Sequence, residues 1–123
     1  MDLLSRKAKF DRAQPAGPKA LETPMRLYDY GPSQNCFKVR LLAAHLGLSL
    51  EVGPVSIFQG EGALPGFLAK NPMGTVPLLE TDAGEYLPES NAILTYLAEG
   101  TAYLPKNGMP RAQVMRWLMF EQR

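Results

Sequence analysis

Apolar and polar residues alternate along the chain in short blocks that predict four strands and four helices. After Gly31, apolar residues recur at i, i+3, i+4 and i+7, which is one face of a helix: Val39, Leu42, Ala43 and Leu46. Short apolar runs bounded by Gly, Pro and Asp predict the strands. We expect strands at 25–30, 48–57, 76–81 and 85–88, helices at 36–46, 65–71, 90–99 and 110–123, and a flexible loop at 58–66.

The order of these elements up to residue 104 is β-α-β-α-β-β-α. A helix between the first two strands implies a parallel pair with a right-handed crossover. The turn at 82–84 implies that the last two strands form an antiparallel hairpin. A mixed four-stranded sheet with helices on its faces is a thioredoxin-like α/β fold, which we therefore predict for residues 25–104.

Residues 1–24 differ in composition from the rest of the chain. They are rich in charge, Pro, Gly and Ala, and they lack the apolar stretch of a secretory signal. An organelle transit peptide is the alternative to a mobile arm, but such peptides are poor in acidic residues, and this segment contains Asp2, Asp11 and Glu22. We interpret it as a flexible N-terminal arm.

Residues 105–123 combine a linker with a helix that begins near Pro110. Apolar side chains cover most of this helix: Val114, Met115, Trp117, Leu118, Met119 and Phe120. A helix that is apolar nearly all round is expected to be buried on several sides. We favour a further domain after residue 123 as its cover, and a partner protein is the alternative.

Composition and charge exclude several classes of protein. The chain is 46% apolar and 20% charged, which is typical of a soluble globular domain. Its net charge of +1 gives no electrostatic reason to expect nucleic acid or an anionic membrane as a partner. No apolar run approaches the roughly 20 residues of a membrane helix. The single cysteine, Cys36, excludes an internal disulfide and fits a reducing compartment such as the cytoplasm.

The strand predicted at 76–81 contains Pro77, although proline has no N–H to donate within a sheet. If the Val76–Pro77 bond is cis, the chain bends there, and the N–H and C=O of Val76 can pair with an extended ligand as with an added strand. The alternative is an ordinary trans proline on an edge strand. Spacing alone leaves both open.

Glu89 and Ser90 stand where the helix at 90–99 begins. A helix N-terminus has free N–H groups and a partial positive charge, so it can hold a carboxylate, while Glu89 can hold an ammonium group. Together they suit the head group of an α-amino acid. A plain helix cap is the simpler alternative.

Three further candidates lie between the first strand and the first helix. Ser33 can direct its hydroxyl at a thiolate, and Asn35 can donate a second hydrogen bond. Alternatively, either residue merely caps the helix. Cys36 is a possible thiolate nucleophile, although a small buried residue is the commoner role for a lone cysteine.

Together these motifs resemble the N-terminal domain of glutathione transferases. The resemblance runs from LYDYGPSQNCFKVRLLAAHLGLSLE through GFLAKNPMGTVPLLE to YLPESNAILTYLAE, roughly residues 25–104. The NPMGTVP block at 71–77, followed by PESNAI at 88–93, is its most specific part. Residues 105–123 would then be the linker and first helix of an all-α C-terminal domain whose remainder is absent.

The resemblance implies a glutathione site. Val76, before a cis Pro77, would pair with the cysteinyl part, and Glu89 and Ser90 would bind the γ-glutamyl end. Gln59 would help to hold the glycyl end. Ser33, assisted by Asn35, would stabilise the thiolate, as in serine-type classes. No tyrosine occupies the position used by tyrosine-type classes, and Cys36 is misplaced for the cysteine-type role.

Three functions remain open for such a chain. The first is a glutathione S-transferase that conjugates glutathione to a small electrophile, as a cytoplasmic homodimer with a role in detoxification and without a metal. This chain would lack the pocket for the electrophile. The second is a non-enzymatic protein-interaction module with the same fold. The third, a glutaredoxin-like thiol–disulfide role, is disfavoured because a serine stands where the attacking cysteine is needed.

Overall fold

The computed structural model describes residues 24–123, and the elements in that range follow the predicted order. The strands are β1 (Arg26–Asp29), β2 (Glu51–Pro54), β3 (Leu78–Glu80) and β4 (Tyr86–Pro88). The helices are α1 (Gln34–Leu46), α2 (Pro65–Leu68), α3 (Ser90–Ala98) and α4 (Gly108–Glu121). Apart from Pro24, the predicted arm at 1–24 lies outside the described residues. None of the helices within residues 24–123 is long and apolar enough to cross a bilayer.

The four strands form one mixed sheet in the order β2-β1-β3-β4. β1 pairs in parallel with β2, as the crossover predicts, and antiparallel with β3. β3 and β4 form the predicted hairpin. The register places Gly53, Tyr28, Leu78 and Pro88 in one row across the sheet. The fold is therefore thioredoxin-like, as the element order predicts.

Both faces of the sheet are covered. Tyr28 and Leu78 are direct cross-strand partners on one face, where they form a buried cluster with Val55 and with Phe67 from α2. The rings of Tyr28 and Phe67 meet edge to face with centroids 5.8 Å apart. Leu27 and Leu79 form the corresponding pair on the opposite face, and both are completely buried.

Helix α1 is capped at both ends. Ser33 is its N-cap, and its hydroxyl oxygen accepts a hydrogen bond from the Cys36 N–H. Gly47 ends the helix in the left-handed conformation (φ 69°), as its position predicts. The buried face differs from the predicted one, because it consists of Cys36, Val39, Ala43 and Leu46, whereas Leu42 is only half-buried.

The strands are shorter than predicted. β3 begins at Leu78, so Pro77 precedes the strand and its missing N–H costs no hydrogen bond within the sheet. β2 has four residues, and the loop expected at 58–66 contains two short 3-10 turns, Ile57–Gln59 and Glu61–Ala63. Isolated turns of this kind have no hydrophobic periodicity, which is why the sequence pattern does not predict them.

Residues 98–123 belong to a second compact unit, of which α4 is the main element. No residue of α4 is buried, and Trp117 and Phe120 are both 58% exposed. Arg111 links the start of this helix to the preceding chain, because it forms an ion pair with Glu99 and donates to the Pro105 carbonyl at 3.0 Å. The apolar surface predicted for this helix is thus largely exposed.

The first prediction tests the sheet core. Leu79→Ala removes a fully buried side chain and should lower the free energy of unfolding by about 2–5 kcal/mol, because it loses apolar burial and leaves a cavity. Leu41→Ala is the matched control, since Leu41 is 45% exposed on α1 and its truncation should change stability by less than about 0.5 kcal/mol. Urea unfolding of both variants measures the difference. Equal losses would contradict the assignment of the core.

Candidate active site

The strand directions bring four chain segments to one edge of the sheet. β1, β2 and β4 end at this edge, whereas β3 begins there because it runs antiparallel to β1 and β4. The residues that follow Asp29, Pro54 and Pro88 and those that precede Leu78 therefore lie along the same edge. These segments contain all the residues that the sequence nominates: Ser33, Asn35, Gln59, Val76, Pro77, Glu89 and Ser90.

Ser33 lies at the turn that connects β1 to α1. Its N–H donates to the Tyr30 carbonyl at 2.9 Å, and its hydroxyl accepts from the Cys36 N–H at 3.2 Å. A hydroxyl that accepts as a cap keeps its own O–H hydrogen for donation. Capping and ligand binding are therefore compatible at this serine. Asn35 is half-buried in the first turn of α1.

An ion pair with a buried carboxylate fixes this turn. The carboxylate of Asp29, at the end of β1, pairs with the guanidinium of Arg40 from α1, and only 7% of the Asp29 side chain is exposed. Arg40 also donates to the Gly31 carbonyl at 3.1 Å. The same arginine thus holds the strand end and the turn that leads to Ser33, so it restricts the position of the serine.

The loop before β3 is organised by Asn71, which is 1% exposed. Its side-chain amide donates to the Thr75 carbonyl at 2.9 Å, and its side-chain carbonyl accepts from the Met73 N–H at 3.2 Å. The loop ends in a cis peptide bond between Val76 and Pro77. Within residues 24–123, no turn or loop hydrogen bond between main-chain groups uses the N–H or C=O of Val76.

Two glycines bring the segment after β2 against this loop. Gly74 has a φ of +66°, and a Cβ atom added to it would lie 2.8 Å from the Gly62 carbonyl oxygen, so only glycine fits. The same segment also contacts the turn after β1, because the rings of Phe58 and Tyr30 meet edge to face with centroids 5.5 Å apart. These contacts place the 3-10 turn with Gln59, which is exposed, beside the turn and loop described above.

Glu89 has an unusual backbone conformation at the start of α3. Its φ is +75°, which is a left-handed value that costs a non-glycine residue about 1–3 kcal/mol. Its carbonyl accepts the Ile93 N–H at 2.9 Å, the first bond of the helix, while its side chain is exposed. Ser90 follows in the first turn and is 5% exposed. Strain of this kind is commonest at ligand-binding sites.

Cys36 does not have the environment of a nucleophile. Its side chain is fully buried, and burial raises the pKa of its thiol, although the Ser33 side chain and the Tyr30 N–H, which donates to the sulfur, act in the opposite direction. Reactive cysteines are accessible and have lowered pKa values. The burial of Cys36 agrees with the expectation of a small buried residue, and a glutaredoxin-like reaction at this residue is disfavoured.

Sequence reasoning missed the residues that hold the site in place. Asp29, Arg40 and Asn71 received no role, although an Asn before Pro in a glycine-containing turn is a recognisable signal. A second anchor precedes Asn71: Lys70 donates to the Tyr28 hydroxyl at 3.0 Å, which raises the pKa of Lys70, and that hydroxyl donates to Glu80 at 2.7 Å. No group of His, Cys, Asp and Glu within the described residues is arranged to hold a metal ion.

Comparison with known proteins identifies the family. Residues 23–99 match the model of the glutathione S-transferase N-terminal domain, so the chain belongs to this family, which uses glutathione as a co-substrate. A solved structure described as a possible glutathione S-transferase from Rhodopseudomonas palustris is 50% identical, with a TM-score of 0.78 over 82% of this chain and 50% of the other.

Curated relatives differ in what they do. A maleylacetoacetate isomerase from Pseudomonas aeruginosa is 43% identical over 61% of this chain and 36% of its own length. An elongation factor 1-gamma from Artemia salina is 32% identical over 77% of this chain and 22% of its own length. The chain thus spans well under half of either relative.

The second prediction concerns the ion pair between Arg40 and the buried Asp29. Arg40→Met should lower the free energy of unfolding by about 2 kcal/mol, because it leaves the Asp29 carboxylate buried without its partner. Arg26→Met is the matched control, since Arg26 and Glu51 form a pair in which both side chains are more than 40% exposed, and its loss should change little. Thermal or urea unfolding compares the two. A larger loss for Arg26→Met would refute the argument.

The third prediction concerns pH. Burial disfavours the charged thiolate of Cys36, so the pKa of this thiol is higher in the folded state than in the unfolded chain. The contribution of this thiol to the free energy of unfolding is fully present below the pKa of a thiol in the unfolded chain. It is lost as the pH rises towards the pKa in the folded state. The alkaline fall in unfolding free energy should therefore be shallower in Cys36→Ala than in the parent chain. Parallel curves would show that the thiol does not contribute.

Proposed function

We propose that this chain is the glutathione-binding domain of a glutathione S-transferase that activates the thiol of glutathione for attack on an electrophile. The observation that carries the proposal is the convergence at one sheet edge of Ser33, the Val76–Pro77 bond and the Glu89–Ser90 pair. The family of the chain supports glutathione as the ligand.

Val76 would bind the cysteinyl part of glutathione through its main chain. The Val76 N–H and C=O take no part in the main-chain hydrogen bonds among turns and loops of residues 24–123. An extended peptide can pair with such groups as an added antiparallel strand. Gln59, on the adjacent 3-10 turn, would contact the glycyl end.

Glu89 and Ser90 would bind the γ-glutamyl end. The N-terminus of α3 offers N–H groups and a partial positive charge to the carboxylate of the ligand. The exposed Glu89 side chain would pair with the ammonium group of the ligand. The strained φ of Glu89 supports a role in binding, because the strain has no evident use in the core.

Ser33 would stabilise the thiolate. Its O–H hydrogen would donate to the sulfur while its oxygen continues to cap α1, and Asn35 would assist. Each unit by which the thiol pKa falls corresponds to about 1.4 kcal/mol of stabilisation of the thiolate. The thiol proton would pass to solvent, and the sulfur would then form a bond with the carbon of the electrophile as the leaving group departs.

The complete protein would need more than this domain. The electrophile would be bound by an all-α C-terminal domain that begins with the linker and helix at 105–123, and the apolar side chains of α4 would pack within it. A homodimer in the cytoplasm that acts in detoxification is the corresponding biological proposal. The relatives' greater length supports the further domain.

A non-enzymatic interaction module is the second candidate. It is favoured by the similarity to elongation factor 1-gamma, whose name does not describe a transferase, and by the exposed Trp117 and Phe120 of α4. In that case the glutathione site would be vestigial and α4 would contact a protein partner. Binding of glutathione distinguishes the two candidates.

The fourth prediction separates binding from activation. Glu89→Ala should weaken glutathione binding by about 1.5–3 kcal/mol, which is roughly tenfold or more in Kd, because it removes a charge-assisted hydrogen bond. Ser33→Ala should change Kd less but raise the pKa of the bound thiol. Calorimetric titration with reduced glutathione measures the first effect, and the ultraviolet absorbance of the thiolate measures the second.

Two controls make this test specific. Ser33→Gly also removes the hydroxyl but costs only a few tenths of a kcal/mol as a helix cap, so it isolates the effect on the thiolate from the loss of stability. Glu89→Gln keeps the length of the side chain without its charge. An unchanged thiol pKa in both Ser33 variants would refute the role of Ser33, and a folded parent chain that binds no glutathione would refute the proposed function.

A further inference from the structure

A chemically reactive peptide bond lies between Asn107 and Gly108, at the start of α4. The sequence contains four asparagines, at positions 35, 71, 91 and 107, and only the last is followed by glycine. Asn107 is exposed, its backbone is extended (φ −164°, ψ 178°), and its side chain makes no capping hydrogen bond. The position is thus accessible and weakly held.

This arrangement favours cyclisation of the asparagine side chain. The main-chain nitrogen of Gly108 attacks the side-chain carbonyl carbon of Asn107, a new C–N bond closes a succinimide ring, and ammonia leaves with the hydrogen of that nitrogen. Glycine has no Cβ to hinder the approach. Gly108 is also the first residue of α4, where a helix makes no internal use of the N–H group.

The other three asparagines lack these features. Asn71 is followed by proline, which has no N–H, and its own side chain is buried and hydrogen-bonded. The N–H after Asn35 donates to the Ser33 hydroxyl at 3.2 Å. Asn91 lies within α3, where its carbonyl accepts from the Thr95 hydroxyl at 2.8 Å. These positions serve as internal controls.

We propose that Asn107 is a site of spontaneous deamidation, in which water opens the succinimide to give aspartate or isoaspartate. The only co-reactant is water, and the only product released is ammonia. Either product adds a negative charge, which takes the formal net charge of the chain from +1 to zero. In isoaspartate the peptide bond to Gly108 is formed by the side-chain carboxyl group. The main chain is therefore one methylene longer at the N-cap of α4.

The two products differ in their effect on the helix. Aspartate is as good an N-cap as asparagine and places a negative charge near the positive end of α4. Isoaspartate instead shifts the main chain at the N-cap position and disturbs the segment that Arg111 bridges to the Pro105 carbonyl. In a mixture of the two products, the first turn of α4 should therefore be less stable in the isoaspartate molecules than in the aspartate molecules.

The fifth prediction is tested by ageing the folded chain at mildly alkaline pH, followed by trypsin digestion and mass spectrometry. Lys106 and Arg111 bound a peptide at 107–111 that contains Asn107 and no other asparagine. This peptide should gain about one dalton and split into two chromatographic forms. One form should be a substrate for enzymatic methylation of isoaspartate, and hydrolysis in heavy-oxygen water should add one labelled oxygen.

Asn107→Gln is the matched control, because its longer side chain would have to close a larger ring and its exposed position tolerates the change. In this variant the 107–111 peptide should keep its mass, and the shift of the aged chain on ion exchange should fall several-fold. Equal conversion at Asn35, Asn71 or Asn91 in the folded parent would overturn the proposal, as would an unchanged 107–111 peptide after ageing. Thermal unfolding of the variant confirms that it is folded.

Discussion

The direction of β3 is the constraint on which the rest of the domain depends. β1 and β2 run in parallel because α1 crosses between them, and β3 enters beside β1 in the opposite direction. The entry to β3 therefore meets the exits of its neighbours. If β3 ran parallel to β1, Pro77 and its loop would lie at the far end of the sheet from Ser33. The antiparallel pairing of Leu78 with Tyr28 thus assembles the candidate site.

Buried polar side chains then fix the segments that this topology brings together. Asp29 with Arg40 holds the turn before α1, and Asn71 holds the loop before β3. Buried polar groups destabilise a protein unless they are fully paired, and when they are paired they define a single geometry. An apolar residue at either position would bury surface equally well but would not direct the main chain. These paired polar groups therefore fix the position of the main chain at the edge of the sheet where the candidate site lies.

Sequence patterns predicted the elements with the longest periodicity and the clearest end signals. Helix α1 and its Gly47 cap follow from spacing and from the conformational freedom of glycine, and the hairpin follows from its turn. The predicted ends of the strands were less accurate, because a strand of three or four residues has too few alternations of buried and exposed side chains to locate its end. Two features depend on tertiary structure, so no local pattern could predict them: the ion pair of Asp29 with Arg40 and the positive φ of Glu89. The motifs nominated residues for the candidate site, but not the contacts that hold them.

The relation between Ser33 and Cys36 shows which chemistry the site can support. Both lie at the N-terminus of α1, where the helix field favours a thiolate. Burial is nevertheless the largest influence on the Cys36 thiol, and it raises the pKa above the ordinary value although the Ser33 side chain and the Tyr30 N–H act in the opposite direction. Ser33 is only partly buried, and its hydroxyl can still donate its O–H hydrogen. The chain therefore offers a hydrogen-bond donor at the edge where a reactive thiol would be needed. A thiol reaction at this edge requires the sulfur to come from a ligand, which is why the proposed activity uses glutathione and not Cys36.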